Sequence, residues 1–341
     1  MKRENNIDGL RVLACFMVII IHLASDYIVD YMEIGGSYFT WANIYDSMCR
    51  VAVPLFVIIS GRYALWDQGN IDYKEYYKKV WKKIYIPTLI WSVVYFGFFY
   101  LQIYIKGDKN WWLPVKAFYE GAPYYHMWYL YMCIGLYLLT PFLIRLRFKI
   151  GEENFRKLGY TFLIFGIILV ATQELLIKIR FYERDDMLRY LKYFWYFNYF
   201  RFLNYIGYFI LGYSLKDVKV SRNWGLAGTF LSLGSMCVAM QYTKSVIVYN
   251  YNLPFVAGGA FLLYFTFNNL KFGYNFKNLA GHTFNVYLVH AMIITVLTFV
   301  IRWLLGIYPS PVWFIPLGGG FVFIASLLFS IGLEKILRYI K

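Results

Sequence analysis

Arg11 and His22 close the two ends of the run RVLACFMVIIIH, in which every intervening residue is apolar. Eleven residues of α-helix make roughly three turns, so the two side chains share one face about 16 Å apart. A histidine titrates near neutrality and is suited to take a proton from a hydroxyl. An arginine fork suits phosphate and other anions. The same residues also have plain structural uses: a histidine bonded to a neighbouring helix, and an arginine whose stem snorkels toward the membrane surface.

The remaining chemistry-bearing residues fall into three stretches. In CRVAVPLFVIISGRYAL, Cys49 to Leu65, Pro54 removes a backbone donor and Ser60-Gly61 permits close approach of a neighbour or ligand, while Arg50 and Arg62 bracket the segment. Arg62 joins Lys74, Lys78, Lys79, Lys82 and Lys83 in a basic collar, which suits either anionic lipid headgroups or a polyanionic ligand. In GAPYYHMWYL, His126 and Trp128 have the character of a carbohydrate or headgroup site, or of an interfacial aromatic belt. GHTFNVYLVH brings Asn285, Tyr287 and His290 within a few turns. Cys15, Cys49, Cys133 and Cys237 show no CxxC spacing, so neither a disulfide framework nor a metal site is expected.

The elements that must position these groups are membrane helices. With 60% hydrophobic and 16% charged residues, the chain is not an ordinary soluble enzyme. The net charge of +15 gathers in alternate loops, which favours a membrane surface over nucleic acid as partner. Windows of about 20 apolar residues predict an all-α integral membrane bundle of about ten spans. These run Leu10–Tyr27, Arg50–Tyr63, Ile84–Ile105, Trp128–Ile144, Tyr160–Ile177, Tyr193–Leu215, Trp224–Met240, Leu253–Phe267, Phe284–Leu305 and Val312–Leu333. The positive-inside rule then sets both termini in the cytoplasm, although the outer loop from Lys178 to Lys192 carries five basic residues beside three acidic ones. A single transmembrane domain over residues 1–341, without a soluble appended domain, is expected in a plasma membrane of bacterial type.

Five segments in order along the chain resemble acyltransferase family 3, the membrane O-acyltransferases of envelope carbohydrates. They are IDGLRVLACFMVIIIH with its Arg11 and His22, VPLFVIISG from Val53, HMWYL from His126, FILGYSL from Phe209 and TFNVYLVH ending at His290. The chain departs from the pattern at Lys82-Lys83, where paired arginines are frequent, and at Arg62, where an aromatic is common. The resemblance implies transfer of an acyl group, most often acetyl from acetyl-CoA or another acyl-CoA, to a hydroxyl of an envelope carbohydrate or lipid-linked saccharide. It implies no bound cofactor. His22 would act as general base, with Arg11 and, in the collar, Arg62, Lys82 and Lys83 on the acyl-CoA. Asp8, Ser60, His126, Trp128, Asn285, Tyr287 and His290 would supply the pocket or meet the acceptor. Membrane lipid and a second copy of the chain are the further partners considered, and nucleic acid is not expected. A transporter or flippase of a small solute or lipid-linked saccharide is the alternative, because carriers also place ionisable groups at mid-bilayer.

Overall fold

The computed structural model describes residues 4–67, 71–178 and 198–339. These residues are helical, with no strand among them, as expected of a chain that must satisfy its backbone polar groups in hydrocarbon. Thirteen α-helices are described, joined in places by short π or 3₁₀ turns. They are α1 Asn5–Tyr31, α2 Gly36–Cys49, α3 Ala52–Ala64, α4 Tyr73–Val80, α5 Ile86–Lys106, α6 Trp112–Tyr119 and α7 Trp128–Ile150. The remainder are α8 Glu152–Lys178, α9 Ile206–Ser214, α10 Arg222–Thr243, α11 Pro254–Asn269, α12 Lys277–Thr298 and α13 Pro311–Tyr339.

Among the described residues, eight segments are long and apolar enough to cross a membrane, and each overlaps one of the ten spans expected from sequence. The second expected span, short as Arg50–Tyr63, gains length because α2 and α3 together run from Gly36 to Ala64. The seventh forms α10, a 22-residue helix that is not among the eight. The sixth begins at 193–197, outside the described residues, and continues as a 3₁₀ turn, Asn198–Tyr205, and the nine-residue α9. The basic outer loop at 179–192 also lies outside the described residues.

The chain divides into two compact units, one of residues 1–59 and 216–341, the other of residues 60–215. In the first, α1 is central and packs against α2, α12 and α13. Its apolar residues Leu10, Ala14, Val18, Ile19 and Leu23 are buried. Gly35 and Gly36, with φ of 78° and 79°, turn the chain between α1 and α2 through a conformation that side chains with a Cβ rarely adopt. α13 shows the opposite pattern: Trp313, Leu317, Phe321, Ile324 and Leu328 form an exposed stripe at helical spacing, the surface that lipid covers.

In the second unit, α9 is buried along nearly its whole length and packs on α8. Gly61, at the end of α3, lies so close to this helix that a Cβ would run into the carbonyl oxygen of Phe209. The close approach expected at Ser60-Gly61 is therefore to a neighbouring backbone. Arg147, buried on α7, donates to the carbonyls of Leu65 and Asp67 at 2.6 Å each and stacks over Tyr213 at 4.5 Å. It thus satisfies carbonyls exposed where α3 ends. The π turn Trp81–Tyr85 precedes Pro87, whose missing N–H leaves the Lys83 carbonyl without its usual helical donor. Lys82 and Lys83 ride on this widened turn and are exposed.

Gly61→Ala should cost about 1–3 kcal/mol through overpacking, seen as a lower thermal transition in detergent. Gly97→Ala, where a Cβ meets open space, should leave the transition unchanged. Arg147→Ala, which strips the Leu65 and Asp67 carbonyls of their donor, should lower it further than Gly61→Ala.

Candidate functional site

The apolar run between Arg11 and His22 is an uninterrupted part of α1. Three contacts hold this helix in register with α12. Asn5 accepts from the Phe276 N–H at 2.8 Å and donates to the Tyr274 carbonyl at 2.8 Å, just before α12 begins. Cys15 donates through sulfur to the Thr283 carbonyl at 3.7 Å. Seven residues farther along each helix, the His22 and His290 rings stack with centroids 5.4 Å apart and planes 27° apart. Equal spacing on both helices means that they run parallel and in step, two turns separating the sulfur contact from the ring stack.

The expected spans gave the two histidines different depths. The difference shrinks because α12 begins at Lys277, about two turns before the apolar run at Phe284, which brings His290 to the middle of the Lys277–Leu304 segment. His290 is fully buried, with Nδ1 2.6 Å from the Tyr287 carbonyl, whereas His22 is half-buried. Ser25 donates to the His22 carbonyl at 2.9 Å. Asp8 is buried one turn before Arg11. Tyr287 lies beside His290, its ring centroid 5.4 Å away, while Asn285 turns to a different group and donates to Ser330 at 3.1 Å. Ser330 also meets His282 at 2.9 Å.

On the other flank of α1 stands a buried polar network that includes residues not singled out above. Asn43 of α2 accepts from Tyr249 at 2.7 Å and Ser47 at 2.9 Å, and donates to the Cys237 carbonyl at 3.0 Å and Gln241 at 3.1 Å. One turn along α2, Asp46 is wholly buried and paired in bidentate fashion with Arg50, the Nη2 to Oδ2 distance being 2.8 Å. The Arg50 guanidinium lies over the Tyr249 ring at 4.3 Å and donates to the Tyr251 hydroxyl at 3.3 Å. A readable signal existed in Asp46 and Arg50, an acid and a base at i and i+4 beside an apolar run. Tyr249 and Tyr251, some 200 residues away, gave none.

The other residues singled out belong to the second compact unit. Arg62 is buried, Ser60 half-buried, and Lys82 and Lys83 exposed. His126 is buried against aromatic rings, its centroid 4.8 Å from Tyr95 and 6.0 Å from Tyr124, while Tyr95 and Tyr124 stack on each other at 4.8 Å. Trp128 carries the Arg201 guanidinium over its ring at 4.8 Å. Among the described residues, no group of three or more His, Cys, Asp or Glu side chains could hold a metal ion.

Over 152 residues the chain is 32% identical to an amino-acid racemase of Enterococcus faecalis, a match taking in 43% of this chain and 21% of that protein. The chain thus spans about a fifth of the length of this curated relative. No solved structure matches it. The family model described as an acyltransferase domain matches residues 4–331, nearly the whole chain, and the protein therefore belongs to acyltransferase family 3.

Proposed function

We propose that the protein is a membrane O-acyltransferase that moves an acyl group, acetyl in the simplest case, from acyl-CoA to a hydroxyl of an envelope carbohydrate or lipid-linked saccharide. What carries this reading is α1: one unbroken helix bears Arg11 and His22 eleven residues apart, in a chain that belongs to the family. The rise of about 16 Å between them is comparable to the extended pantetheine arm that joins the phosphates of CoA to its thioester. Arg11 holds the phosphates at the cytoplasmic mouth, in a topology with both termini inside as the loop charges favour.

His22 acts deeper in the bilayer. Its imidazole takes the proton of the acceptor hydroxyl as that oxygen attacks the thioester carbonyl, forming the new C–O bond. Collapse of the tetrahedral intermediate breaks the C–S bond, and the CoA thiolate recovers the proton from His22. His290, stacked on His22, limits the tilt of the ring and keeps the base aimed. Asp8 and Tyr287 shape the pocket from α1 and α12. The protein then works in the inner membrane of a bacterial cell, where acyl-CoA is supplied from one side and the saccharide from lipid or the opposite side.

The test is purified protein in liposomes with acetyl-CoA labelled in the acetyl group and membrane lipid extract as acceptor. Wild type should transfer label, and His22→Ala should lower transfer at least 10²-fold, on the order of the loss of a general base. Arg11→Ala should raise the KM for acetyl-CoA with little change in kcat, the mark of a group that binds donor and transition state alike. Undiminished transfer by His22→Ala would remove it as the base. Solute movement without acyl-CoA consumption would point instead to a carrier.

A further inference from the structure

We infer that Arg50 is a second catalytic residue, whose guanidinium stabilises the oxyanion formed when the acceptor attacks the thioester beside His22, and that Asp46 is the positioning residue that aims it. The inference rests on the acyl-transfer reading above. Its foundation is the way α1 and α2 pass each other. The helices are antiparallel across the Gly35-Gly36 turn, and Tyr38 lies 6.2 Å from Tyr27 and 5.1 Å from Tyr31, ring to ring. Counting back from these contacts sets His22 opposite the turn of α2 that runs from Asn43 to Ser47, which contains Asp46. Helical side chains lean toward the N-terminus of their helix. Arg50 therefore reaches back over Asp46, bringing its charge to the level of His22.

The energetics also point to function. An ion pair taken out of water costs several kcal/mol per ion after relaxation, and this one is deep: the Asp46 side chain is 0% exposed and that of Arg50 14%. Arg50 follows directly on the helix that carries Asp46, so the ion pair itself joins no two helices. The contact between α2 and α10 already has its own polar hub in Asn43, bonded to Cys237 and Gln241. A buried ionisable group inside a membrane protein is a functional candidate by default. The guanidinium is also fixed before any substrate arrives. Asp46 takes Nε and Nη2, Tyr251 takes Nη1, and the Tyr249 ring backs the plane. A guanidinium has five N–H donors, so these three contacts leave a second hydrogen on each terminal nitrogen. Such a preorganised cation in a low-dielectric site meets the requirement for oxyanion stabilisation, since it need not reorient as charge develops.

The step conserves protons. Arg50 stays protonated throughout, the negative charge on the carbonyl oxygen appears as His22 gains the acceptor proton, and both vanish as the thiolate leaves and is protonated.

The labelled acetyl-CoA assay in liposomes, run with wild type, Arg50→Lys, Arg50→Ala and the double variant Asp46→Asn/Arg50→Gln, tests this directly. The double variant leaves no orphaned charge, and size-exclusion and thermal profiles report whether each variant is folded. The expected result is a kcat lowered about 10²–10³-fold in Arg50→Ala and in the double variant. The KM for acetyl-CoA should stay within about three-fold of wild type, since an oxyanion group acts in the transition state only. Arg50→Lys should fall between, and added guanidinium should restore part of the kcat of Arg50→Ala, which a purely structural arginine would not permit. Wild-type transfer together with an unchanged kcat in the folded double variant would overturn the inference while leaving the acyl-transfer reading standing. So would a loss of kcat in Arg50→Ala that guanidinium does not relieve while the double variant stays active. Absence of transfer by wild type with any acyl donor would overturn both.

Discussion

A polar group in hydrocarbon has no water to fall back on, so each must find its partner within the protein. The arrangement around α1 follows from that constraint. Asn5 pairs with the backbone just ahead of α12, Asn6 donates to the Phe267 carbonyl at 2.8 Å, Cys15 meets the Thr283 carbonyl, and the Tyr27 hydroxyl donates to the Pro309 carbonyl at 2.8 Å. These contacts run from one end of the helix to the other and reach several neighbours. Apolar side chains alone pack in more than one rotation with similar energy. Directional bonds at both ends restrict α1 to one rotation and one height, and the stacking of His22 on His290 is a consequence of that register.

The same constraint explains why the two compact units differ in character. Around α1 the buried polar groups are satisfied through side chains, with Asn43 taking part in four hydrogen bonds and Asp46 neutralised by Arg50. In the other unit a central problem is backbone: carbonyls left exposed where α3 ends are taken by Arg147, and α9 approaches Gly61 too closely to allow a Cβ. Arg147 has a fold-maintaining function that its position near the end of α7, among other basic residues, does not distinguish from a lipid anchor.

This contrast bears on how much the sequence disclosed. Long apolar runs bounded by charge made the helices readable, and the spacing of Arg11 and His22 marked a shared face, because both signals are local and follow helix geometry. The pairing of His22 with His290 was not readable. It depends on where α12 starts, and the polar residues Lys277 to Thr283 hide two turns of that helix from a hydropathy window. The second span was set to start too late for a similar reason: GSYFTWANIYDSMC mixes apolar rings with Asn43, Asp46 and Ser47, and Asn43 finds partners at Tyr249, Cys237 and Gln241, distant in sequence. His126 is the reverse case. Its neighbours in sequence suggested a ligand-facing site, yet Tyr95 and Tyr124 enclose it, so a sugar-facing role would fall to its more exposed neighbours.

The use of a single helix for both proposed substrate-handling groups has a mechanical rationale. Helix rise is nearly invariant, so two residues eleven apart on α1 keep their separation whatever the surrounding helices do. A donor with a fixed length between its phosphates and its thioester can be measured against that spacing. Orientation needs a different solution, because a ring or a guanidinium at the end of a side chain can still rotate. It is supplied laterally, by His290 from α12 for the base and by Asp46, Tyr249 and Tyr251 for Arg50. Distance is thus set along one helix and direction by its neighbours, and small shifts of α12 or α2 would alter aim before they altered reach. In this reading, substitutions on α12 and α2 affect turnover, whereas those near Arg11 affect donor affinity.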